Sequence, residues 1–310
     1  MPPPDEGDPS PVDGTIVQRR RLAERGTYTA RVDYDFDCVV VGGGVAGLSA
    51  AMVLGRARRR TLVLDRGRQS NRAAAHVGGL LGHDGTPPGE LYELARAQVA
   101  AYEAVALRDA EAVDARADGD GFAVVLGDGG GDVRARALVL ATGMTYEVPD
   151  VPGFAELWGD AVFHCPFCHG WDVRDRPVVV YGAGEIAEQQ AALLAAWTDD
   201  VTIVYPEDVA GVRVVDGILQ SVVRRDGSEV RCDAVLVHAP LRRRDALPER
   251  LGLASTDTGL VAVDAQTRTS VPGVYAAGDL AVAPQQVAIA LGSGHLAGIV
   301  VTRDLMFGRG

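Results

Sequence analysis

The chain of 310 residues contains no lysine: all thirty basic residues are arginine, and asparagine occurs once, at Asn71. Alanine and glycine abound, so this bias is read as the imprint of a GC-rich coding sequence and not as mechanism. Positive charge is in deficit overall. The formal net charge of −12 argues against nucleic acid or an anionic membrane surface as partner. No apolar run is long enough to cross a bilayer, and the stretch Val39 to Leu54 is interrupted by four glycines. Residues 1–33 hold a Pro-, Asp- and Gly-rich run and then the basic cluster Arg19, Arg20 and Arg21, with no apolar core of a secretory signal. They are expected to form a disordered or loosely attached extension. Cysteine is also sparse. There are four, two of them in one motif, which suits a reducing cytoplasm. The length predicts about two domains.

The motif is Cys165-Pro166-Phe167-Cys168-His169-Gly170. Two thiols at this spacing can close into a disulfide with little strain. If Cys168 begins a helix, that terminus would lower its thiol pKa. His169 adds a base that can titrate near pH 7. Three plainer readings compete. Cys165 to His169 also fits the C-x-x-C-H haem-attachment pattern, but that needs export. His164, Cys165, Cys168 and His169 could hold zinc, although structural zinc sites draw on two separated ligand pairs, and Cys38 and Cys232 are solitary. A purely structural disulfide fits poorly with a cytosolic chain. A redox-active dithiol is the preferred reading, with no metal.

Two glycine-rich fingerprints flank the motif. Asp37 to Val41 reads as a buried strand that runs into Gly42-Gly43-Gly44-Val45-Ala46-Gly47 and then a helix through Leu54. Gly42 allows the tight turn, Gly44 lets a pyrophosphate approach the backbone, and Gly47 lets helix and strand pack closely. A second strand, Thr61 to Leu64, ends at Asp65, eighteen residues beyond Gly47, where a carboxylate can accept from an adenosine ribose. Arg66 to Pro88 is polar and glycine-rich, holds Asn71, His76, His83 and Asp84, and is expected to wrap a ligand. Gly89 to Leu107 has helical periodicity. Strands are expected at Phe122 to Leu126 and at Ala137 to Leu140, the latter ending in Ala141-Thr142-Gly143. Val148 to Gly153 reads as a crossover.

After the motif, Pro177 to Tyr181 is a strand and Gly182-Ala183-Gly184-Glu185-Ile186-Ala187 repeats the fingerprint. A helix Glu188 to Trp197, a strand Val201 to Tyr205, a hairpin turning at Asp226-Gly227 and a strand Ala234 to His238 are expected next. The fold class is therefore α/β with two tandem Rossmann-like units. Asp279 lies just past a short apolar strand, placed to bind a ribityl hydroxyl, and Gln285-Gln286-Val287 starts a small-residue helix through Val301.

The segments VVVGGGVAGLSAA, VLATGM, CPFCHG, VVVYGAGEIAEQQ and VPGVYAAGDL, in that order, make the ordered chain resemble the low-molecular-weight thioredoxin reductases, FAD-dependent disulfide oxidoreductases. The resemblance implies a homodimer and a discontinuous FAD domain (34–149 with 246–310). It also implies an inserted NAD(P)H-domain-like unit, 150–245, carrying the dithiol. It places FAD on Gly42, Gly44, Gly47, Asp65, Asn71, His83, Thr142, Gly143, Asp279, Gln286 and Val287. Two departures stand out. His169 replaces the family's aspartate after the second cysteine, and the basic segment that holds the NADPH 2′-phosphate reads Val204-Tyr205-Pro206-Glu207-Asp208, which would repel a phosphate. Glu207 could instead accept from an NADH ribose, or the unit is a scaffold that binds no nucleotide. The stretch Asp208 to Ser221 looks shortened.

These departures, with SNRAAAHVGG and GHDGTPP, resemble the branch that closes disulfides in natural products such as gliotoxin and holomycin, using oxygen. On that resemblance the catalytic residues are Cys165, Cys168 and His169. Cys165 forms the mixed disulfide with a small-molecule dithiol, Cys168 faces the flavin, and His169 takes the thiol protons. Electrons then pass from FAD to O2, giving H2O2. Two other functions stay open: an NAD(P)H-dependent disulfide reductase, and a flavin-bearing protein that sequesters a dithiol without turnover.

Overall fold

A computed structural model of the chain describes residues 34–308. The extension expected over 1–33 lies outside the described residues. Parallel strands Val105–Asp109, Thr61–Asp65, Phe36–Val41 and Asp132–Leu140 lie side by side in that order. The last is long enough to serve two neighbours on one edge. Its first half pairs antiparallel with Gly121–Leu126, which in turn pairs with Ala112–Asp118, and its second half pairs parallel with Val274–Ala276. Along Phe36–Val41 the side chains alternate between two cores, Cys38 and Val40 on one face and Val39 and Val41 on the other, as the two-residue strand period requires.

Helices Val45–Arg56 and Val287–Phe307 cover the first face. They pack backbone to backbone. A Cβ on Gly294 would lie 2.0 Å from the Ala46 carbonyl oxygen, and one on Gly298 would lie 2.7 Å from that of Ala50. The small residues of the last helix are thus explained by close approach.

A second parallel sheet runs Val201–Val204, Val178–Tyr181, Ala234–Val237, Val162–Phe163. Helix Gly184–Leu194 packs on one face through Ala187 and Leu194, and the three-stranded unit Val209–Val215, Ile218–Arg224, Glu229–Arg231 covers the other. An antiparallel pair, Met144–Tyr146 with Leu241–Arg243, runs across the boundary expected between the two units.

Several element boundaries differ from expectation. The helix expected over Gly89 to Leu107 is Pro88–Ala100, and Val105–Asp109 is a sheet strand, because the apolar residues that suggested one helix serve two elements. Ala112–Asp118 was not expected as a strand; its alternation is masked by alanines and arginine. The second fingerprint helix begins at Gly184, four residues before the expected Glu188. Asp208 to Ser221 forms most of an antiparallel hairpin.

Candidate active site

A cavity of about 480 Å³ reaches from the first glycine loop to the short helix Pro166–His169. Its wall includes Gly42, Gly44, Asp65, Asn71, Thr142, Gly143, Asp279, Gln286 and Val287, drawn from both ends of the chain, and Cys168 and His169 from the motif. Gly47 lies below it as a spacer. A Cβ there would sit 1.8 Å from the Gly42 carbonyl oxygen, the close contact of helix and strand expected of this position. His83 is the exception. It sits in a turn, its carbonyl accepting from Thr86, and is not among the residues lining the cavity.

The residues fit an extended dinucleotide diphosphate. Gly42 turns with a φ of 111°, and a Cβ on Gly44 would meet nothing within 4 Å, so the backbone there is open to a ligand. Helix Val45–Arg56 starts at Gly44 with no side-chain cap and no acid in its first turn, leaving N–H groups for an anion. Asn71 Nδ2 and Thr142 Oγ1 are buried without a hydrogen-bond partner among the described residues, although Asn71 Oδ1 accepts from the Tyr92 hydroxyl at 2.8 Å. Buried polar atoms left this way mark a ligand's place. Asp65 is held by Arg96 Nη1 at 2.7 Å, the Gly67 N–H at 2.9 Å and Gln69 Nε2 at 3.3 Å, none of which the motif had suggested. Burial pushes the Asp279 carboxyl up to about 6, against the pull of Arg244.

The dithiol is closed: Cys165 and Cys168 form a disulfide with their Cα atoms 5.3 Å apart. Cys165, not Cys168, stands at the start of the helix, because Pro166 lacks an N–H and takes its first position. Gln286 donates from Nε2 to both sulfurs, at 3.3 Å to Cys165 and 3.5 Å to Cys168. Sequence reasoning named Gln286 for the cofactor and missed this contact, which joins residues 121 apart. Gly78 packs on the motif, where a Cβ would lie 2.3 Å from the Cys168 carbonyl oxygen; close packing thus accounts for this glycine of the 66–88 stretch.

His169 stacks on Phe163 at 5.2 Å, and its Nε2 lies 3.4 Å from the Gly159 carbonyl. With Nε2–H donating there, Nδ1 keeps its lone pair. Nδ1 is buried and has no partner among the described residues. Burial lowers the His169 pKa, so the ring is a neutral base at pH 7. His164 stacks on Trp158 and lies tilted against Tyr146, and burial, helped by His169, pushes it down to about 4. A smaller cavity that His169 also lines contains His76, whose Nε2 lies 3.1 Å from Asp172 Oδ2.

At the second fingerprint, Gly184 has a φ of 63° and open space around its Cβ position. Glu207 and Asp208 sit exposed in a short turn after Val201–Val204. The structure adds a cation that the sequence had hidden: Arg225 Nε donates to the Glu207 carbonyl at 2.9 Å, across eighteen residues.

This pairing of dinucleotide cavity and disulfide is that of a family. The chain belongs to the pyridine nucleotide-disulphide oxidoreductases, whose family model matches residues 36–225 and 207–294. It is an oxidoreductase of thioredoxin reductase-like fold, and the flavoproteins of this family bind FAD. Thioredoxin reductase tcpT of Claviceps purpurea (strain 20.1) is 32% identical over 307 residues, spanning 87% of this chain and 94% of the relative. Thioredoxin reductase sirT of Leptosphaeria maculans is 29% identical over 303 residues, spanning 85% and 92%. Among solved structures, HlmI aligns with a TM-score of 0.83 at 33% identity, covering 91% of this chain and 95% of that one.

Proposed function

We propose that the protein is an FAD-dependent dithiol oxidase that closes an intramolecular disulfide in a small-molecule dithiol, of holomycin or gliotoxin type, with O2 as acceptor and H2O2 as product. The observation that carries this reading is the exposed acidic pair Glu207 and Asp208 at the edge where a hydride donor's 2′-phosphate would sit. Two carboxylates there disfavour NADPH, and this reading takes thiols as the electron source. Similarity to tcpT, sirT and HlmI supports the same class of oxidoreductase. FAD, when bound, supplies the two-electron chemistry between thiols and oxygen.

The protein's own residues manage sulfur and protons. A substrate thiolate attacks Cys165 Sγ, and Cys168 leaves as a thiolate toward the cavity, steadied by the Gln286 amide. The substrate's second thiol, deprotonated by His169 Nδ1, attacks its own sulfur in the mixed disulfide and releases Cys165. Cys165 is the more buried of the two cysteines, at 9% exposure, so the step requires the motif segment to open. The reading includes a homodimer, a cytoplasmic location and the division into 34–149 with 246–310 around an inserted 150–245.

Oxygen consumption with a small dithiol tests it. The expected stoichiometry is one O2 lost and one H2O2 formed per substrate disulfide; thiol loss without peroxide would sink the proposal. The second reading, an NAD(P)H-dependent disulfide reductase, is favoured by the open Gly184 loop, by Arg225 beside Glu207, and by the relatives' names.

A further inference from the structure

We propose that Arg244 is a cofactor-binding residue whose guanidinium stands opposite the diphosphate of the dinucleotide. The inference rests on reading the large cavity as the FAD site. Three successive arginines, Arg242 and Arg243 in strand Leu241–Arg243 and Arg244 just after it, have different partners. Arg242 pairs with Glu147 and Arg243 with Glu249, and Arg66, also on the cavity wall, pairs with Glu111. Arg244 is half-buried on that wall, yet its bonds go only to neutral carbonyls: Nε to Met144 at 2.9 Å and Nη1 to Arg68. Among the described residues no carboxylate lies within the 4.0 Å of an ion pair. A cation taken partly out of water with no anion beside it is costly unless a ligand supplies one.

Its position says which part of the ligand that is. Arg244 grips the backbone of Arg68, three residues after the ribose-binding candidate Asp65. Asp279, the ribityl candidate, lines the same cavity and is the acid that most raises the Arg244 pKa, against the lowering by burial. Between adenosine ribose and ribityl chain a flavin dinucleotide carries its diphosphate. The two carbonyl bonds fix the guanidinium plane and, among the described residues, leave Nη2 without a partner and able to donate, a geometry suited to phosphate oxygens.

Flavin fluorescence of the full-length holoenzyme provides the test, with wild type, R244Q and R244K compared for FAD release on dilution and on displacement by ADP or adenosine. R244Q is expected to hold FAD about tenfold more weakly. ADP should also lose its advantage over adenosine as a displacer, because the two differ only in the diphosphate. R244K, which keeps the charge but not the fork, should fall between, and it carries the test alone if R244Q does not fold. Unchanged FAD affinity in the variants, or an unchanged ratio of ADP to adenosine, overturns the assignment. A wild-type protein that takes up no FAD at all would instead remove the FAD reading, and this inference with it.

Discussion

Gln286 donates to both sulfurs of the disulfide, and His169, next in the chain to Cys168, is a neutral base. A hydrogen bond to a charged group contributes about 1.5–3 kcal/mol, so Gln286→Leu should raise the thiol pKa of the reduced motif by about one to two units. Thiolate absorbance against pH measures this; an unchanged titration would remove the amide from the account. Cys165→Ser and Cys168→Ser should each abolish dithiol turnover with FAD still bound, and an active double variant would show that the pair is not the relay. His169→Ala should slow oxidation by about 10² at neutral pH, the lower end for general-base catalysis. Since burial keeps the ring neutral to below its ordinary range, the wild-type rate should hold on the acid side until that lowered pKa is reached. A variant with the wild-type pH profile would mean that another group takes the proton.

At the scale of elements, the glycine loop gives two substitutions with opposite consequences. Gly47→Ala drives a methyl into the Gly42 carbonyl and should destabilise the fold by about 1–3 kcal/mol. Gly44→Ala meets nothing in the protein, so the melting temperature without cofactor should hold while FAD affinity drops about tenfold. Equal melting losses in the two variants would contradict the cradle. These glycines were legible in the sequence because strand, turn and helix lie within one short segment, and the same locality exposed Asp65 and the dithiol. What was hidden is what long-range folding brings together: Gln286 to the sulfurs, Arg225 to Glu207, Gly78 to Cys168. His83 shows the converse limit. It belongs to the right stretch, but its turn lies off the cavity wall, and composition does not reveal direction.

For the whole molecule, two half-buried imidazoles and one half-buried carboxyl link stability to pH. The unfolded chain protonates His164 near 6.5 and the folded chain only near 4, so it is the unfolded state that gains protons as pH falls through this interval, and stability is lost. His169 acts in the same direction. Asp279, raised to about 6, works the other way, holding a proton that the unfolded chain releases. Melting of the cofactor-free protein should therefore fall below pH 6.5, and Asp279→Asn should steepen the fall; a flat profile would contradict the burial assigned to these rings.

The direction of electron flow is the central claim, and anaerobic titration of the bound flavin tests it most directly. With NADPH and then NADH the visible absorbance should persist, and with a small dithiol it should bleach in proportion to thiol added. Rapid bleaching by either pyridine nucleotide, with the dithiol inert, would contradict the account and make the protein a reductase.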